Sequence, residues 1–256
     1  MSNRSLLVII SIATENARSM TELPPIAKLI DHALLHPIMT DEQLLVGCDL
    51  ADRYQVATVC VKPCWVRTAA TRLENSLVGV GTVIGFPHGV NTSSVKALEA
   101  QAACDEGAAE LDMVANLGWA FSGQWSAVAD DIRSVLEVAR SYKAILKVIV
   151  ETDYHSNDEV KIQFCKTVSE VGADFIKTST GFGFVKQSSG DYNYAGATAH
   201  DVQLMRRFSS DEVQVKASGG IRSYADARQM QTLGATRIGT SSTAAIVEQS
   251  GSGEGY

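Results

Sequence analysis

Short runs of β-branched and apolar residues alternate eight times with longer stretches of helical period, and this alternation restricts the fold more than any other feature of the chain. Strands are predicted at Lys28–Leu35, Ala57–Val61, Val80–Gly85, Glu110–Ala115, Ile145–Thr152, Asp174–Thr180, Val213–Gly219 and Thr236–Ser241. Helices are predicted near 41–54, 64–74, 92–106, 124–141, 157–170, 199–208 and 223–232, with an eighth near 242–249. Strands that each lead into a helix form a parallel sheet covered by helices, and eight of them suit a closed (β/α)₈ TIM barrel. The length of 256 residues fits one such domain.

The punctuation agrees. Three predicted helices end in a Gly-Ala step that runs straight into a strand: Gly107-Ala108, Gly172-Ala173 and Gly234-Ala235. Glycine suits the left-handed residue after a helix. The steps lie 65 and 62 residues apart, two βα units each time. Ser156 with Glu159 and Ser223 with Asp226 have capping-box spacing. The barrel is expected over 21–249 as a single domain, with 1–20 an N-terminal extension and 250–256 (SGSGEGY) a tail flexible by composition. Leu6–Ala13 is apolar but too short to span a membrane, and Met20 offers an alternative start. The segment 181–196 (GFGFVKQSSGDYNYAG) breaks the rhythm after the sixth strand, as either a lid over the catalytic face or a tolerated surface insertion.

Side chains alternate faces along a strand, so parity sorts inward from outward. Leu111 and Met113 face the helices and leave Asp112 inside; Leu146, Val148 and Val150 leave Lys147 and Glu151 inside; Val213, Val215 and Ala217 leave Gln214, Lys216 and Ser218 inside. Phe175 and Ile176 blur the parity of the sixth strand, but Lys177 stands near its C-terminal end, where catalytic groups of this fold collect. Three lysines and one aspartate thus converge. They form either a network of salt bridges or a site in which neighbouring cations depress one lysine into a neutral amine nucleophile, with Asp112 moving protons. Asp31 on the first strand also points inward, to orient the site or to satisfy backbone donors.

Ser218-Gly219-Gly220-Ile221-Arg222 follows the seventh strand and Gly239-Thr240-Ser241-Ser242 the eighth. Glycines that expose backbone N–H groups at helix starts suit a phosphate, and these two loops are its usual place in a barrel; tight strand-to-helix turns are the alternative. The five histidines include no HxH or HExxH, and no GxGxxG or Walker motif occurs, so neither a metal nor a cofactor is expected. A net charge of −7 argues against nucleic-acid and anionic-membrane partners. Five scattered cysteines, an odd number, fit reduced thiols and a cytoplasmic location.

At LKVIVET (146–152), GADFIKTSTG (172–181), GAT (196–198), VKASGGIR (215–222) and RIGTSS (237–242), the chain resembles the deoxyribose-phosphate aldolases, class I aldolases, over most of 24–245. The resemblance implies a lyase of deoxyribonucleotide catabolism that interconverts 2-deoxy-D-ribose 5-phosphate with acetaldehyde and D-glyceraldehyde 3-phosphate. It places the Schiff-base lysine at Lys177, the second essential lysine at Lys216 and the proton-transfer aspartate at Asp112. Gly181, Ser218, Gly219, Gly220, Arg222, Gly239, Thr240 and Ser241 become expected substrate and phosphate contacts, with Lys147, Asp31 and Cys60 supporting and Cys60 open to modification by aldehydes. The resemblance also implies a homodimer and a proton-transfer role for the terminal Tyr256. Phe182 stands where some relatives carry a lysine near the phosphate, which leaves Lys186 as a possible substitute, and the insertion at 187–194 is longer than the resemblance leads one to expect.

Overall fold

The computed structural model describes residues 25–251 and Gly253. The expected extension 1–20 and the terminal Tyr256 lie outside the described residues. Among the described residues, ten strands run in chain order: β1 (Ile30–Leu34), β2 (Thr58–Val61), β3 (Gly79–Ile84), β4 (Glu110–Val114), β5 (Ile145–Ile149), β6 (Phe175–Lys177), β7 (Val185–Lys186), β8 (Tyr192–Asn193), β9 (Gln214–Ser218) and β10 (Ala235–Thr240). Eight of them close a parallel barrel in the order β1-β10-β9-β6-β5-β4-β3-β2, while β7 and β8 form a separate antiparallel hairpin. The helices are α1 (Asp41–Tyr54), α2 (Val66–Arg72), α3 (Ser93–Asp105), α4 (Leu117–Phe121), α5 (Trp125–Tyr142), α6 (Asp158–Val171), α7 (Ala199–Phe208), α8 (Tyr224–Thr232) and α9 (Thr243–Glu248). Among the described residues, no helix is long and apolar enough to cross a membrane.

The apolar parity expected of the strands is the parity observed, whereas Gln214, expected inside with Lys216 and Ser218, is exposed at the start of β9. Leu111, Met113, Leu146, Val148, Val150, Val213, Val215 and Ala217 are all buried in one apolar layer between barrel and helices. Truncating such a side chain, Leu111 for example, costs about 2–5 kcal/mol. Ile176 joins that layer, whereas the Phe175 ring lies beneath the Arg237 guanidinium, 5.3 Å away, which settles the ambiguous sixth strand with Phe175 and Lys177 inward. The Gly-Ala steps have left-handed glycines, with φ of 105° at Gly107, 83° at Gly172 and 108° at Gly234.

Some boundaries differ from expectation. The segment before β1 is a 3₁₀ turn (Ile26–Leu29), and β5 stops at Ile149 because Glu151 turns left-handed (φ 50°) into another 3₁₀ turn, Thr152–Tyr154. The Ser223–Asp226 capping box forms, but α6 is capped by Asn157, whose side chain accepts from the Glu159 N–H, so the Ser156–Glu159 box is not made. The long segment after β6 carries the β7–β8 hairpin.

Candidate active site

Seven charged side chains from six strands meet inside the barrel: Asp31, Glu110, Asp112, Lys147, Lys177, Lys216 and Arg237. Asp112 is their hub. Its Oδ1 accepts from Lys147 Nζ at 2.8 Å, and its Oδ2 accepts from both Lys177 and Lys216 at 2.7 Å. Lys216 also donates to Asp31 Oδ2 at 2.5 Å. Beneath this layer, Lys147 lies 2.5 Å from Glu110 Oε2, and Arg237 bridges Asp31 and Glu110 at 2.6 and 2.7 Å. Three lysines against one aspartate would leave two positive charges uncompensated. Asp31, Glu110 and Arg237 change that balance to four cations against three carboxylates. One positive charge is in excess, and a single neutral lysine removes it. Asp31 takes its donors from the side chains of Thr58, Lys216 and Arg237, not from backbone groups.

Lys177 is the amine driven towards neutrality. Burial lowers its pKa, the Asp112 carboxylate opposes that, and the Lys216 ammonium adds to it; the balance is a lowered pKa. For Lys216 burial acts the same way, but Asp112 and Asp31 outweigh it and hold the ammonium charged. Lys147 is raised as well, with burial outweighed by Asp112, Asp31 and Glu110. Burial would raise Asp112, yet Lys147, Lys177 and Lys216 hold its carboxyl well below the usual range. The Cys60 thiol is pushed up to about 11, first by burial and then by Asp112.

Above this network a pocket of about 660 Å³, its open mouth included, is lined by Asp31, Cys60, Lys177, Lys216, Gly181, Ser218, Gly219, Gly220, Arg222, Gly239, Thr240 and Ser241. Every substrate contact expected from the sequence therefore faces one cavity. Lys147 and Asp112 do not line it; they lie under its floor. Gly239 is required by close approach, since a methyl group there would lie 2.6 Å from Ser218 Oγ and 3.2 Å from Lys216 Cε. Thr240 Oγ1 donates to the Ile221 carbonyl and accepts from the Ser242 N–H, tying the two glycine loops together. Lys186 is exposed on β7 and is not among the lining residues, so it does not replace the missing lysine. Phe182 lines the wall at that position and packs edge-on against Phe86. The Gly253 N–H donates to the Arg222 carbonyl at 3.0 Å, so the chain returns to the loop after β9.

One lining residue escaped the sequence, and one inward residue has a role that the sequence did not reveal. Tyr194, from the end of the hairpin, enters the pocket. Glu151 accepts from the Thr180 N–H at 3.1 Å and from Thr180 Oγ1, fixing the start of the loop after β6. Parity placed Glu151 inside, but neither residue's partner follows from strand period.

Residues 26–246 match the profile of DeoC/LacD family aldolases. The chain belongs to that family. Among curated relatives, a deoxyribose-phosphate aldolase of Caldanaerobacter subterraneus subsp. tengcongensis is 46% identical over 225 residues, covering 88% of this chain and 93% of the relative. Another, from a Geobacillus strain, is 47% identical over 223 residues, covering 87% and 95%. Of solved structures, a putative deoxyribose-phosphate aldolase from Coccidioides immitis superposes with a TM-score of 0.81 at 36% identity, covering 98% of each chain. The resemblance drawn from the strand motifs and the closed barrel are both borne out. As a family aldolase, the chain is a lyase, and its barrel carries the charged pocket on the face where the strands end.

Proposed function

We propose that this aldolase reversibly cleaves 2-deoxy-D-ribose 5-phosphate to acetaldehyde and D-glyceraldehyde 3-phosphate through a Schiff base on Lys177. The observation that carries the reading is the single shared oxygen, Asp112 Oδ2, held 2.7 Å from both Lys177 and Lys216. Through that oxygen a depressed amine and a charged ammonium can exchange a proton. Lys177 Nζ attacks the aldehyde carbon C1, and the carbinolamine loses water to give an iminium. The C3 hydroxyl gives up its proton, the C2–C3 bond breaks, and its electron pair flows to the iminium nitrogen. Glyceraldehyde 3-phosphate leaves and an enamine remains. Protonation of the enamine at C2 and hydrolysis of the resulting iminium release acetaldehyde and restore the amine.

Lys216, charged and lining the pocket, supplies protons; Asp112, ionised beneath the floor, passes them between the lysines. The N–H groups of the loops after β9 and β10, with Arg222, hold the 5-phosphate, as helix starts in this position do. The names and high identity of the relatives support this substrate, and no metal or cofactor is needed in the sequence of steps. Steady-state release of glyceraldehyde 3-phosphate from the sugar phosphate tests the reading. Lys177→Met should lower kcat by roughly 10³-fold or more, because the covalent route is lost. Retention of more than a tenth of the parent rate would refute the role of Lys177.

A further inference from the structure

Tyr194 stands out among the buried polar groups that the steps above do not use. Its hydroxyl is shielded from solvent and has no hydrogen-bond partner among the described residues. A buried donor is almost always satisfied, so an orphan on a residue that lines a ligand pocket marks a bond made when the ligand arrives. The hydroxyl lies against the glycine loop after β9: a methyl group on Gly219 would sit 2.0 Å from Tyr194 Oη, and one on Gly196 3.0 Å from it. Gly219 has φ of 99°, so the loop turns its backbone towards the ring at a position suited to glycine.

The hairpin that carries Tyr194 is fixed at both feet by carboxylates from the segment after β5. Glu151 holds Thr180 on the entering side. On the returning side Asp153 accepts from the Ala195 N–H at 2.6 Å and the Gly196 N–H at 3.0 Å. The Ala197 N–H then donates to the Gly219 carbonyl at 3.1 Å, joining that foot to the glycine loop itself. Phe184 packs against the Tyr194 ring, with centroids 5.4 Å apart. A residue so braced is positioned before the ligand binds.

We propose that Tyr194 is a further substrate-binding residue, whose hydroxyl donates to the anionic end of the sugar phosphate beside Gly219 and Arg222. The proposal rests on the reading of this pocket as a sugar-phosphate site. Burial, Asp153 and Glu151 raise the phenol's pKa against the pull of Arg222, so it stays a neutral donor. The hairpin thus supplies a phosphate contact at a site where Phe182 cannot.

Tyr194→Phe removes the hydroxyl and keeps the ring. The ratio of kcat/KM for 2-deoxyribose 5-phosphate to that for 2-deoxyribose should fall roughly ten- to a hundredfold, the range for one hydrogen bond to a charged group. The loss should sit mainly in KM for the phosphorylated sugar. Inorganic phosphate, titrated by calorimetry into parent and variant, should bind more weakly to the variant by a similar factor. An unchanged ratio together with unchanged phosphate affinity would overturn the proposal, and so would equal losses on both sugars. The two readings fail separately. A parent that binds inorganic phosphate but cleaves neither sugar defeats the reaction assigned above, while the phosphate titration still decides the role of Tyr194.

Discussion

Asp112 has both oxygens occupied by lysine ammonium groups and touches no part of the pocket surface, so its influence on substrate chemistry runs through Lys177 and Lys216. Its charge raises the pKa of Lys177, whereas the charge of Lys216 lowers it. Asp112→Asn therefore removes the influence that favours the ammonium, and the free amine should appear at lower pH. Lys216→Met should move the same titration to higher pH. The rate of borohydride trapping with acetaldehyde, followed against pH, reads both shifts; movement of the two variants in the same direction would contradict the charge assignment. Asp112, Lys147 and Lys216 were legible at this scale because strand parity sends them inward. Glu110 shares the parity of Asp112, but nothing in a linear sequence pairs it with Arg237, 127 residues away. Tyr194 was not legible at all, since a loop has no period to orient a side chain.

The segments after β5 and β6 act as one unit, because Glu151 and Asp153 on the first hold both feet of the hairpin on the second. Glu151 is strained as well as buried: its φ is 50° and its carboxyl is pushed up to about 7, chiefly by burial. The sign follows from linkage. The folded state binds this proton more tightly than the unfolded chain, whose ordinary value is 4.5, so the contribution to stability is full below about pH 4.5 and is lost as pH rises through about 7. Glu151→Gln should remove that dependence. Denaturant unfolding should show the parent losing up to about 3 kcal/mol relative to the variant between about pH 4.5 and pH 8; parallel curves would show that the carboxyl does not titrate as stated. Longer elements were read well from sequence, while α4, with five residues, and the hairpin, with two-residue strands, are too short to establish a period. The capping box at Ser156 failed because Asn157, one residue later, caps α6 instead.

Closure of the barrel assembles the site. β1 pairs with β10, and this seam brings Asp31 to Arg237 across 206 residues and sets Lys216 against an aspartate 185 residues before it. The count of eight strands made closure legible, and the glycine steps fixed its rhythm. The three lysines come to Asp112 from the neighbouring strands β5, β6 and β9, whereas Asp31 joins them only because the sheet closes. An open sheet of the same strands would separate β1 from β10 and leave Asp31 and Arg237 without each other. The whole arrangement leaves Lys177 as the nucleophile and keeps the other cations charged. The direct measurement is to incubate the folded protein with acetaldehyde and sodium borohydride and to locate the adduct by peptide mass spectrometry. An ethyl group is expected on Lys177, absent in Lys177→Ala and suppressed by 2-deoxyribose 5-phosphate. An unmodified Lys177, or an ethyl group carried by Lys216 or Lys147 in its place, would contradict that assignment.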